Sequence, residues 1–123
     1  MNSPTNIVLS KNKKLLTVAF EDNNFSMTSE YLRVYSPSAE VRGHGPGQET
    51  LQLNKQDVTI SSLVPMGNYA IAIHYSDGHR TGIYSWSYLY HLGSKKDELW
   101  LDYCKKVEKN NENNNKNYHK VSI

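Results

Sequence analysis

"FEDNNFSMTSEYL", residues 20–32, and "YSDGHRTGIYSWSYL", residues 75–89, follow one plan. Each opens on an aromatic residue, passes through an acidic turn, returns as a strand and ends in a helix behind a hydroxyl residue. In the first, Glu21-Asp22-Asn23-Asn24 is a turn, because asparagine tolerates left-handed backbone and bonds its side chain to nearby amides. Phe25 and Met27 then alternate with Ser26, as in a half-buried strand. Thr28 caps a short helix from Ser29 to about Val34, with Glu30 in the first turn, where the dipole favours an anion. That helix ends before Pro37.

In the second stretch Ser76-Asp77-Gly78-His79 is a hairpin turn of the Asp-Gly type, Thr81 to Tyr84 is the returning strand, and Ser85 caps Trp86-Ser87-Tyr88-Leu89-Tyr90, stopped by Gly93. Laid together, Asp22 falls on Asp77 and Tyr31-Leu32 on Tyr88-Leu89, with two extra residues in the second copy. Two strand–turn–strand–helix units on one core are expected.

The rest of the chain supplies partners for these units. Asn6 to Leu9 and Lys14 to Phe20 read as strands joined by a polar turn at Ser10 to Lys13, and Tyr69 to Tyr75 as the first strand of the second unit. Leu51 and Leu53 suggest a short strand; Val58-Thr59-Ile60 starts another, closed off by Pro65-Met66-Gly67-Asn68. Ser94 and Asp97 stand in capping-box spacing, and Leu99, Trp100, Tyr103 and Val107 make one helical stripe that would lie on the sheet. The expected class is α+β: a two-layer arrangement of an antiparallel sheet with helices packed on one side.

A chain of 123 residues fits one domain. From Asn110 to Asn117 six of eight residues are Asn, and nothing there offsets the entropy of ordering. Residues 1–108 are therefore read as the domain and 109–123 as an Asn-rich disordered tail. Residues 1–94 hold seven Lys/Arg and seven Asp/Glu, whereas 95–123 hold seven and five, so the net +2 charge lies in the last quarter. A neutral body lacks the clustered field of a nucleic-acid binder, and Lys105, Lys106 and Lys109 read as a solvated helix end. With no apolar run suited to a signal peptide or membrane span, the expectation is a cytoplasmic monomer or weak oligomer with no nucleic-acid or membrane partner.

Cys104 is the only cysteine, which excludes an internal disulfide and a multi-thiolate site, and reads as a partly buried small hydrophobe. Between the units, "SPSAEVRGHGPGQ" (36–48) invites a phosphate-loop reading, but it lacks the Gly-Lys-Ser/Thr ending and Pro46 removes a donor. The glycines are better explained by unusual backbone or close approach. His44 and His79 lie in loops near Glu40 and Asp77, a set that would bind a metal or carry a proton, though no ligand spacing requires it. His74 and His91 read as structural. No nucleophile elbow is present, so no catalytic residue is assigned. The nine tyrosines, with Trp86 and Trp100, fit core packing better than a partner-binding face.

"YLRVYSPSAEVRGHGPGQ" (31–48), "PMGNYAIAIHYSDGHRTGIYSWSYLY" (65–90), and the pairs Leu92-Gly93 and Leu99-Trp100 resemble, over residues 5 to about 107, the small bacterial domain of unknown function similar to the N-terminal domain of gamma-butyrobetaine hydroxylase. In the hydroxylases that domain is a noncatalytic zinc module beside a separate oxygenase domain with ferrous iron and 2-oxoglutarate. Its ligands are three cysteines after a Leu-Arg pair and one histidine in a hairpin turn. Here the resemblance places Leu32-Arg33 on that pair, Ser36, Ser38 and Val41 on the cysteines and His79 on the histidine, so it implies a lost zinc site. It implies no hydroxylase activity, since the chain has no room for the oxygenase domain.

Similar domains joined to iron–sulfur cluster carrier ATPases imply an accessory role. The expectation is thus a nonenzymatic accessory or protein-interaction domain, connected with iron–sulfur or redox-enzyme maturation. Its binding surface would comprise Arg33, Arg42, His44, Gln48, Asp77, His79 and Arg80. Ser36, Pro37, Ser38, Gly43, Gly45, Pro46 and Gly47 would form the structural loop, Ser36 and Ser38 bonding nearby amides and Arg33 or Glu40 tying the loop to the hairpin near His79. No cofactor is expected; the alternative is zinc or iron held by His44, His79, Asp77 and Glu40.

Overall fold

The computed structural model describes residues 3–117. In chain order the elements are β1 (Asn6–Leu9), β2 (Leu15–Ala19), β3 (Asn24–Thr28), α1 (Ser29–Val34), α2 (Ala39–Arg42), β4 (Ile60–Met66), β5 (Ala70–Tyr75), β6 (Gly82–Ser85), α3 (Trp86–Ser94) and α4 (Lys96–Asn117). The class is α+β, with the strands divided into two three-stranded antiparallel sheets, β1-β2-β3 and β4-β5-β6. The Lys13 carbonyl accepts from the Ile60 amide, which joins the start of β4 to the turn before β2.

The internal repeat is real in three dimensions. Leu15 pairs with Thr28 and Leu16 with Met27 in the first sheet; Ala70 pairs with Ser85 and Ile71 with Tyr84 in the second. Each final strand runs straight into a helix whose cap is the aligned hydroxyl residue. Thr28 Oγ1 accepts from the Tyr31 amide and Ser85 Oγ from the Tyr88 amide, both at 3.1 Å. One turn on, Leu32 and Leu89 are fully buried. Burying each contributes about 2 kcal/mol relative to exposure.

The two units also trade equivalent contacts. Tyr31 donates its hydroxyl to the Leu92 carbonyl near the end of α3, and Tyr88 donates to the Tyr35 carbonyl at the end of α1, both at 2.6 Å. Each satisfies a carbonyl that a helix terminus leaves without an intrahelical partner. Asp22 accepts from the Tyr90 hydroxyl at 2.8 Å, and Asp77 in the other turn accepts from Arg33 at 2.9 Å. At the aligned helix ends, Gly93 lies against Phe25 and Ser36 against Gly82. The large residue is on the strand in one half, and on the other half the strand carries glycine.

The core centres on Leu16, Met27, Leu32, Ile60, Ile73, Tyr84, Leu89 and Leu92, all fully buried. Tyr84 donates to the Leu32 carbonyl at 2.6 Å and shares a hydrogen bond with Tyr75, so its hydroxyl is satisfied in the interior. Tyr35 and Tyr103 likewise reach the carbonyls of Leu99 and Gln52. The tyrosines are core and core-edge residues; Tyr69, 67% exposed, is the exception among those described. His74 bonds Ser62 on the neighbouring strand and His91 stacks on Tyr88, both structural placements.

Several local expectations are corrected. Leu51 and Leu53 form no strand; their segment is pinned at its ends by Thr50 N to Val41 O and by Tyr103 to Gln52 O. Gly93 does not stop α3, which continues to Ser94, because the missing side chain is needed for Phe25 rather than for a left-handed turn. Ser94 bonds back to the Tyr90 carbonyl instead of capping α4. Pro65 lies inside β4, tolerated because β4 is an edge strand.

The stripe on α4 meets α1 and the 49–52 segment rather than a sheet face, through Trp100 on Tyr31 and Tyr103 on Gln52. The helix then runs through 109–117, the first part of the expected tail, since propagation needs only one bond per added residue once the packed turns have formed. The rest of that tail, 118–123 with Tyr118, lies outside the described residues. Among the described residues no helix is long and apolar enough to cross a membrane.

Candidate functional site

The corner between the end of α1 and the β5–β6 hairpin holds the densest buried polar group. Arg33 is on the α1 face that turns toward the second hairpin, and its side chain is only 8% exposed. Its Nε donates to Asp77 Oδ2 at 2.9 Å, and Lys55 Nζ reaches the same oxygen at 2.9 Å. Asp77 Oδ1 accepts from the His79 amide, closing the hairpin turn. Burial alone would raise the Asp77 carboxyl, but hydrogen bonds from Lys55, the His79 amide and Arg33 outweigh it and hold the group down at about 2. Arg33 Nη1 is buried without a protein partner.

His79 occupies the centre. Its Nε2 stands 2.8 Å from Ser36 Oγ and 3.4 Å from Ser38 Oγ, and its Nδ1 is 3.5 Å from Glu40. Ser36 is 1% exposed and fits because residue 82 is glycine: a Cβ there would come within 2.6 Å of the Ser36 hydroxyl. Ser36 Oγ also accepts weakly from the Ser38 amide, at 3.4 Å. Ser38 does not cap α2 with its side chain, which is turned toward His79 instead.

Desolvation, then the positive charge of Arg33, pushes His79 below its ordinary value, against smaller opposing effects of Glu40 and Asp77. A histidine with a depressed folded-state value contributes stability that is present above the unfolded value of 6.5 and is lost as pH falls through the folded one. Thermal stability is therefore expected to drop between pH 7 and pH 5. The drop should be smaller in His79→Asn, measured as the change with pH rather than the absolute midpoint. An identical slope in the variant would remove His79 from that role.

The glycine loop is folded by its own backbone. Gly43 has φ +74 and the Gln48 carbonyl packs onto it, leaving no space for a side chain. The amides of Gly43, Gln48 and Thr50 are spent on Ala39, Gly45 and Val41 carbonyls, so they do not form a phosphate cradle. The structure brings Ser36, Ser38, Glu40, Asp77 and His79 together with Arg33, as the tying of loop to hairpin requires. Arg42, His44, Gln48 and Arg80 are exposed. Arg33 and His79, expected on the binding surface, are buried and belong to the brace instead. Lys55 and Gly82 carry no sequence signal for this corner: one is a lysine in a polar loop, the other a glycine in a strand.

As a zinc site the donor set does not fit. Ser36 and Ser38 offer neutral hydroxyls, Val41 is an apolar buried residue, and His79 Nε2 is already hydrogen-bonded. Among the described residues no three His, Cys, Asp or Glu side chains converge, and His44 makes no hydrogen bond or ion pair with His79, Asp77 or Glu40.

Residues 7–90 match the family described as gamma-butyrobetaine hydroxylase-like, N-terminal. The chain belongs to this family. Among solved structures, two NMR solution structures are similar to it: one at 41% identity and TM-score 0.76 over 88% of this chain and 86% of the other, one at 38% and 0.77 over 90% and 83%. A crystal structure of a protein of unknown function in the DUF971 family, from Acidithiobacillus ferrooxidans, is similar at 33% identity and TM-score 0.61, over 73% of this chain and 91% of that one. No curated protein matches. The matched residues run from β1 through most of α3 and so take in both sheets.

Proposed function

We propose that this member of the family is a nonenzymatic docking domain of the cytoplasm, which presents the glycine loop and the adjoining hairpin to a protein partner. The observation that supports it is the division of labour at the corner. Arg33, Lys55, Asp77, His79, Ser36 and Ser38 bond one another, whereas Arg42, His44, Gln48 and Arg80 are exposed, with no carboxylate in ion-pairing distance among the described residues. A loop braced from within loses little entropy on binding, and its two arginines suit an acidic patch. A place in iron–sulfur or redox-enzyme maturation is part of the same proposal, and its support is the resemblance to domains joined to iron–sulfur cluster carrier ATPases.

Affinity capture from native lysate, quantified against the wild type, tests the surface. The Arg42→Ala, His44→Ala double variant is expected to lose the partner and Lys105→Ala to retain it. Equal recovery by both would remove the loop from consideration. Stoichiometric zinc or iron in protein purified without a histidine tag would replace this reading with the metal-binding alternative on His79 and its neighbours.

A further inference from the structure

A cavity of ≈ 190 Å³ opens on the other side of the glycine loop, between α1, α3, α4 and residues 49–52. Its body is apolar: Val34, Val41 and Leu51 with the rings of Tyr35, Tyr88 and Tyr103. All three tyrosine hydroxyls are spent on main-chain carbonyls, of Leu99, Tyr35 and Gln52. The rings therefore offer hydrocarbon and π faces and no free donor. A cavity of roughly 150 Å³ lined by apolar side chains accommodates benzene, so a phenyl-sized body fits here.

The lining carries charge as well. Arg42, Glu49 and Lys106 line it too, and the uncharged polar residues Ser36, Thr50 and Gln52 complete it. Lys106 is paired with Asp102 at 3.1 Å. Arg42 stands over the Tyr88 ring, 5.0 Å from its centroid, with no carboxylate in ion-pairing distance among the described residues. An arginine laid on an aromatic face is held in place while its guanidinium edge stays free for a planar anion.

We propose that this cavity binds a small monocarboxylate with an apolar, phenyl-sized body, the carboxylate on Arg42 and the body among Tyr35, Tyr88, Tyr103 and Leu51. Glu49 disfavours a second negative charge at the same opening, which selects monocarboxylates over dicarboxylates. The site is separate from the docking surface except for Arg42.

Titration of the full chain with phenylacetate, followed by amide NMR shifts and calorimetry, tests it. Saturable binding is expected in the millimolar range or tighter, with shifts confined to residues 34–52, 88 and 103–106. Phenylacetamide should bind at least about ten-fold more weakly, as should phenylacetate to Arg42→Gln, since a hydrogen bond to a charged group is lost. Leu51→Trp, which fills the cavity, should abolish binding, while His44→Ala and Arg80→Ala should leave it unchanged. No saturable shift at millimolar phenylacetate, or equal binding of acid and amide, overturns the proposal. A failed partner capture with intact phenylacetate binding would sink the docking reading alone, and the reverse would sink only this one. Tighter binding of a peptide with a free C-terminal phenylalanine than of phenylacetate would likewise reject the small-molecule assignment.

Discussion

Asp77→Ala is expected to be the most destabilising single change at the hairpin, by about 3 kcal/mol, because it leaves the buried Arg33 guanidinium without its counter-ion. Lys55 loses the same partner at lower cost, since it reaches water more easily. The His79 amide loses its acceptor, which loosens the turn that presents His79 to Ser36. For a domain of this size the midpoint should fall by on the order of 10 °C. In an Arg33→Met background the same Asp77→Ala change should cost far less, since no buried charge is then stranded. Urea unfolding of the four proteins closes the cycle. Additive effects would mean that the pair is not coupled.

Acid behaviour gives a second view of Asp77. Its folded-state value of about 2 lies below the ordinary 3.8, so its contribution is present above 3.8 and disappears as pH falls through about 2. That window lies below the one in which His79 acts, and the two are separable in a single acid titration.

Gly93→Ala reverses the usual rule for helices. Alanine inside α3 is favoured over glycine by about 1 kcal/mol on propensity alone. Here the added Cβ would come 2.3 Å from Phe25 Cγ and 2.7 Å from Phe25 Cβ, atoms close to the β3 backbone that cannot swing aside. Overpacking of this kind costs about 1–3 kcal/mol, and steric conflict is expected to prevail, with a net loss of about 1 kcal/mol. In a Phe25→Ala background the conflict is gone and the sign should flip, so that Gly93→Ala stabilises. Denaturant midpoints of the four variants decide it; a stabilising effect in the wild-type background would show that the contact is not what excludes a side chain at 93.

Much of the fold was legible because two local signals coincide at each repeat. Thr28 and Ser85 mark the helix starts through cap chemistry, and Tyr31-Leu32 and Tyr88-Leu89 repeat at the same distance beyond them. The second sheet was not legible as separate: strand periodicity says which face is buried, not which strand pairs with which. Gly93 misled for a related reason. A glycine after an apolar run signals a helix end when backbone conformation demands it, and here a distant phenylalanine makes the demand.

At the candidate site Ser36, Ser38, Glu40, Asp77 and His79 could be grouped from the sequence through the resemblance and through turn chemistry. That Arg33 and His79 are interior could not, since charge says nothing of burial until a partner such as Asp77 is placed beside them. Lys55 was invisible because its loop has no periodicity to orient it.

The exchanged tyrosine hydroxyls have a consequence for how the chain comes apart. Neither βββα half owns the groups that finish its own helix; each borrows one from the other. Peeling away either half would strip a hydrogen bond from the helix end of the half that remains, which couples the opening of the two halves by about 1 kcal/mol for each exchanged bond.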